Sequence, residues 1–317
     1  VTLNNNLDIK GNFWNASTAK TSTFISGSNT VNIEGNFAVT NPNIFTTTTG
    51  SLNFVGTDIS NQQTYDNTSA DLNNVTINNT GAGVKLITDM TLGSSGIFTP
   101  TYGKVDGTTN TKKVIVKNTS LTGSGTGNIN SWVYGGFRKY LAVNNHNIPV
   151  GNVNAWEGMS MNVTANTSNY IDVNFSNQAL GTGFSILEGV NNFVGLVANG
   201  GTAPLTDFAG TNSRGVWTVV PNIGSVSYDI TLNARNYATY TTTLTVARRP
   251  ISSVPNNWVL SGTYVPATST TTTLLTVSRT GMPSMTESTD FGIATTVDVP
   301  LSLNLVEFTG KNLTKTS

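Results

Sequence analysis

The chain contains no cysteine, which removes disulfide staples, thiolate metal sites and cysteine nucleophiles together. It has one histidine, His146, so a histidine-rich metal site cannot be assembled. In the turn-like setting Asn144-Asn145-His146-Asn147 that residue is expected to be solvated or to cap the chain. Charge is scarce: Asp, Glu, Lys and Arg make up 10% of the 317 residues, against about 25% in an ordinary soluble domain. The 16 basic and 16 acidic side chains cancel, which leaves no net field to attract nucleic acid or an anionic membrane. No apolar run approaches the roughly 20 residues of a membrane-spanning helix, so the chain is not expected to span a membrane. Val1-Thr2-Leu3-Asn4-Asn5 has neither the basic nor the apolar stretch of an export signal, as expected of a mature or excised segment.

What the chain does have is 31 Gly, 10 Pro and long tracts of Thr, Ser and Asn. Branching at Cβ suits a pleated surface and Gly and Asn suit turns, so an all-β fold of short strands is expected. A pattern also returns. Leu7-Asp8-Ile9-Lys10-Gly11-Asn12-Phe13 is followed by Val31-Asn32-Ile33-Glu34-Gly35-Asn36-Phe37 and then by Leu52-Asn53-Phe54-Val55-Gly56-Thr57, at offsets of 24 and 21 residues. Such spacing marks stacked coils that cannot bury their apolar faces singly. Alternation within each copy turns Leu7, Ile9, Phe13 and their equivalents inward. Asp8, Asn32 and Asn53 then form one outward column, and Lys10, Glu34 and Val55 another. The recurrent Gly11, Gly35 and Gly56 are expected at a bulge or turn, where positive φ favours glycine.

Looser coils continue through Leu72–Asn79, Val84–Leu92 and Gly96–Phe98 to about Val116, which predicts a parallel β-solenoid (β-helix) over residues 1–125. Gly123-Ser124-Gly125-Thr126-Gly127 reads as a linker, since no Lys-Ser, Lys-Thr or opening helix follows to make it a phosphate loop. Beyond it, separate alternating runs such as Val226, Tyr228, Ile230 and Leu232, with Ser227, Asp229 and Thr231 facing away, predict an antiparallel β-sandwich over residues 126–300. Thr46 to Thr49 and Thr270 to Thr273 read as strand or loop filler, and Arg138-Lys139 and Arg248-Arg249 as edge-strand charges that discourage aggregation.

Several motifs occur in a recognisable order: Thr46-Thr47-Thr48-Thr49-Gly50-Ser51-Leu52-Asn53-Phe54-Val55-Gly56, Leu72-Asn73-Asn74-Val75-Thr76-Ile77-Asn78, Gly136-Phe137-Arg138-Lys139, Ile148-Pro149-Val150-Gly151, Asp290-Phe291-Gly292-Ile293-Ala294, and Val299 to Lys311. On these the chain resembles Bacteroidota surface proteins in which a β-helical stretch and a β-sandwich precede a type IX secretion sorting domain. The resemblance implies an exported, cell-surface or released protein with adhesive or scaffold roles. It makes residues 301–317 a tail toward a sorting domain, and it brings no catalytic residues with it.

A search for chemistry finds Asp66, Asp71, Asp89, Asp106, Asp172 and Glu188 dispersed, without the Asp-x-Asp-x-Asp-Gly series of calcium loops. No catalytic residue, metal ligand or cofactor site is assigned. The expected function is a non-enzymatic exported structural module: a stalk, adhesin segment or filament subunit that associates with itself or with other surface proteins. The alternative is a carbohydrate-binding module presenting Trp156, Trp217 or Trp258 to sugar faces, although rings of this size more often pack a sandwich core. A polysaccharide-cleaving β-helix enzyme is the third reading. Finally, the outer edge of the first coil, Val1 to Phe13, is expected to need a partner, because an uncapped solenoid leaves unpaired backbone groups.

Overall fold

The computed structural model describes residues 1–16, 21–109, 111–179, 186–188, 191–196, 213–235, 243–252, 258–271 and 274–296; the tail assigned to 301–317 lies outside them. The fold is all-β and begins with a parallel β-solenoid of about six turns. Its first face stacks Leu7–Ile9, Val31–Ile33, Ser51–Phe54, Asn74–Asn78 and Phe98–Tyr102. The second stacks Phe13–Asn15, Phe37–Val39, Gln63–Asn67, Val84–Leu86, Val105–Asp106, Val133–Tyr134 and Val150–Gly151. Thr23–Gly27 and Ile44–Thr47 form a separate two-stranded parallel sheet, and in the later coils Met90–Leu92, Lys113–Val116 and Gly136–Tyr140 stack in parallel in another.

Register follows the repeat. Leu7 pairs with Val31, Val31 with Leu52 and Leu52 with Val75, so like residues meet and the core is built from columns. One column is aromatic: Phe13, Phe37 and Tyr65 stack with centroids 5.4 and 5.7 Å apart. Phe24 and Phe45 form a second stack at 5.3 Å, and Phe45 meets Phe37 edge-on at 5.1 Å. Outside, Asn32 donates to Asp8 at 2.6 Å and Asn53 to Asn32 at 2.8 Å, while Lys10 pairs with Glu34. Both outward columns therefore form as the repeat predicts.

At Gly35 and Gly56 the repeat glycine has a different cause from the one expected. Positive φ occurs at Gly27, Gly83 and Gly103, among others, but not at Gly11, Gly35 or Gly56. At Gly35 a Cβ would stand 2.5 Å from the backbone carbon of Gly11, and at Gly56 one would stand 2.7 Å from the amides of Asn79 and Gln63. Close stacking, rather than turn geometry, excludes a side chain there. The corner beside Gly56 is held by buried amides: Gln63 donates to the carbonyls of Ile33 (2.9 Å) and Gly35 (2.6 Å) and accepts from Asn79 at 2.7 Å. These bonds satisfy backbone groups that the corner would otherwise bury unpaired.

The boundary at 125 is too early. Parallel pairing persists through Val133 opposite Val105 and Val150 opposite Val133, because the Val-rich column of the second face still has apolar coils to cover. Gly123–Gly127 is no linker: Leu121–Gly123 forms a 3-10 turn, Gly123 and Ser124 are buried, and Ser124 bridges in parallel to Phe98. It is a corner of the next coil. The fold then changes sense at a single strand. Gly136–Tyr140 pairs in parallel with Lys113–Val116 on one side and antiparallel with Tyr170–Ala179 on the other.

Beyond that point the sheet continues antiparallel through Ser213–Pro221 and Thr289–Thr296. A second sheet, Asn145–Ile148, Gly158–Asn166, Val226–Ala234, Leu274–Met285 and Thr263–Thr271, is antiparallel throughout. Val226, Tyr228, Ile230 and Leu232 are buried as their alternation predicts. Tyr228 meets Phe291 of the first sheet edge-on at 5.9 Å, so the two sheets share apolar contacts. One hydrophobic cluster runs from Val31 to Ile293 across both regions.

Candidate functional site: the junction groove

Where the fold changes sense, three charged side chains tie the two regions together. On the parallel side Lys113 and Gly136 are register partners, as are Ile115 and Arg138; on the antiparallel side Arg138 faces Asp172. Arg138 donates from Nε and Nη2 to the two oxygens of Asp172 at 2.6 and 2.8 Å, and Lys113 Nζ donates to Oδ2 at 2.7 Å. The guanidinium lies 3.9 Å from the centre of the Tyr170 ring. Burial alone would raise the Asp172 pKa, but the hydrogen bonds from Arg138 and Lys113 outweigh it and hold the carboxyl below its ordinary value. That carboxylate stays ionised and oriented.

Beside this clamp opens a groove of about 650 Å³, within the range of small-molecule sites. The turn that carries Lys112 forms one wall, and Tyr134 lines it from the second solenoid face. Asp172 and Asn174 line it from the first antiparallel strand. Tyr134 is half-buried and Asn174 exposed, and Lys104 sits 5.2 Å from the centre of the Tyr134 ring. Sequence reasoning named none of these as site residues except Asp172, which it left among the dispersed carboxylates. The one signal available was glycine at 107 and again at 135 and 136, where Gly135 lies close against Gly107 one coil later.

The tryptophans proposed to meet sugars are in the interior. Trp217 is fully buried and donates to the carbonyl of Glu157 at 2.8 Å. Trp156 is 9% exposed, its Nε1 bonded to the Thr126 carbonyl at 3.1 Å. Trp258 is 4% exposed, with Arg249 5.0 Å from its ring centre. For Trp156 and Trp217 the fold both buries the apolar body and satisfies the one N–H, and Trp258 is buried against Arg249, so all three rings are interior.

Two further expectations are corrected. His146 is neither solvated nor in a turn. It is fully buried in the strand Asn145–Ile148 and contacts the Ala142 carbonyl through Nε2 at 2.8 Å. Burial lowers its pKa, and the charge of Lys139 lowers it further. Lys139 is no edge-strand charge, being fully buried with its ammonium donating to the Asn118 carbonyl; burial pulls its pKa down to about 8. Lys139 reaches back one coil to the Asn118 carbonyl, a contact that the sequence does not reveal. Arg249, by contrast, does lie on an edge strand: Leu244–Pro250 has Thr289–Thr296 as its one strand partner among the described residues, and there Arg249 pairs with Asp290 at 2.5 Å.

Among the described residues no three His, Asp or Glu side chains converge as metal ligands. None of the described helices is long and apolar enough to cross a membrane. Comparison with protein-family models, with curated proteins and with solved structures returns no match.

Proposed function

We propose that this chain is a non-enzymatic structural module displayed outside the cell, a solenoid stalk joined to a β-sandwich head. The observation that carries this reading is the continuity of the junction: one strand, Gly136–Tyr140, belongs to both regions, and one apolar cluster runs beneath it. A hinge would need a segment with few buried contacts. A shared strand locked by Arg138, Lys113 and Asp172 instead suits a part that holds its head at a fixed distance and angle. The resemblance to Bacteroidota surface proteins supports export, with the protein's partners being other surface proteins or further copies of itself.

Display is tested on intact source cells with a membrane-impermeant amine label directed at exposed lysines such as Lys10. Labelling before lysis is the expected result, and labelling only after lysis overturns the reading. Release of reducing ends from a polysaccharide panel by the purified chain would overturn its non-enzymatic part.

A further inference from the structure

The junction leaves a recess that a spacer does not need. The strand Tyr170–Ala179 pairs with Gly136–Tyr140 only as far as Val173 opposite Phe137. From Asn174 onward its pairing among the described residues is with Ser213–Pro221 on the other side alone. The chain reaches Gly136 by turning the solenoid corner at Gly135, where φ is +127° and a Cβ would lie 3.3 Å from Gly107. A strand that overhangs a corner of bare backbone leaves an open trough, and this trough is the groove beside the clamp.

Its lining is chemically mixed in a particular way. Tyr134 contributes an aromatic ring, Asn174 an exposed amide, and Asp172 a carboxylate whose ionisation and orientation are fixed by Arg138 and Lys113. Thr108 adds an exposed polar side chain at the turn. An aromatic face flanked by planar polar groups suits a sugar ring, which has an apolar C–H face and hydroxyls at its rim. Of the charged residues lining the groove, Lys113 and Asp172 are paired, whereas Lys112 has no carboxylate partner among the described residues. A nucleotide or phosphate would call for a helix N-terminus or a cluster of cations, and the groove offers a single unpaired lysine.

We propose that this groove binds a segment of an acidic polysaccharide, with Tyr134 against a sugar face, Lys112 on a uronate carboxylate, and Asn174 and Asp172 on ring hydroxyls. The test is calorimetric titration of the whole chain with tetragalacturonate and, separately, with the neutral cellotetraose. The acidic tetramer is expected to bind and to weaken as salt is raised. Tyr134→Ala and Asn174→Ala should each weaken it at least tenfold, and Lys112→Ala should remove the preference over cellotetraose. Trp14→Ala, on the distant first coil, should change nothing. Melting curves of the variants identify any that misfold, and the exposed Asn174 keeps the test sound if Tyr134→Ala is one of them. Absence of binding, equal binding of the neutral tetramer, or binding indifferent to folded Tyr134 and Asn174 variants overturns the proposal and leaves the spacer reading standing.

Discussion

In the solenoid a residue lies beside its own counterpart one coil on, so Phe13, Phe37 and Tyr65 stack in a column and Asp8, Asn32 and Asn53 form a hydrogen-bonded row. In the antiparallel region neighbours are unlike: Phe175 faces Trp217, and Arg138 faces Asp172. The solenoid builds with strands of two to five residues, the antiparallel sheets with strands as long as twelve. Short strands bury little individually, and each coil depends on the next; long alternating strands carry a full apolar face of their own. The two regions nonetheless share one cluster of buried side chains, so their different construction need not make them independent in stability.

The largest test of that point compares two buried aromatics. Phe37→Ala in the solenoid and Trp217→Ala in the antiparallel region should each cost about 3–5 kcal/mol. Because the core is continuous, both should lower the same calorimetric transition. Two transitions, each sensitive to one variant, would show that the regions melt separately. Next comes Gly35→Ala, which forces a Cβ against the Gly11 backbone and should cost about 1–3 kcal/mol. Gly11→Ala meets nothing within 4 Å and should stay within about 0.5 kcal/mol in urea denaturation. Equal effects at the two glycines would refute the close-approach explanation.

At the boundary itself, Lys139 makes stability depend on pH. Its folded pKa of about 8 lies below the ordinary lysine value of 10.5, so between those values the unfolded chain holds the proton that the folded chain has released. Stability should therefore rise from about pH 8 to about pH 10.5, the burial penalty being present in full at neutral pH. Urea midpoints across that window should show the rise in the parent chain and lose it in Lys139→Met. The smallest effect belongs to Lys10→Ala. Its partner Glu34 is a surface residue and the lysine is highly exposed, so no change in melting is expected beyond that of any exposed pair.

Much of the solenoid was legible in the sequence because parallel stacking copies a local pattern at a fixed offset. Leu7, Val31 and Leu52 announce their own pairing, and the outward columns follow from alternation. The later limit of the coils was not legible, since Val105, Val133 and Val150 pair through strands of only two residues, too short to show a period. The glycines between Gly123 and Gly127 look like a linker in sequence and act as a tight corner in space. Nor was the groove legible: Arg138 and Asp172 meet because an antiparallel strand folds back, and nothing in the spacing of 34 residues marks that event. For the tryptophans the sequence favours core packing over sugar faces, and the interior takes all three.

The contact of Gly35 with Gly11 bears on how such a chain can change length. Successive coils are offset by 24 residues at first and 21 next, yet their strands stay in register, so the variation is absorbed in the connecting segments. Where two backbones meet with no room for a single methyl group, the coil has a fixed waist. Inserted residues are excluded from that waist and accommodated at the loops, which lets the outside of the stack diversify while its pitch is conserved.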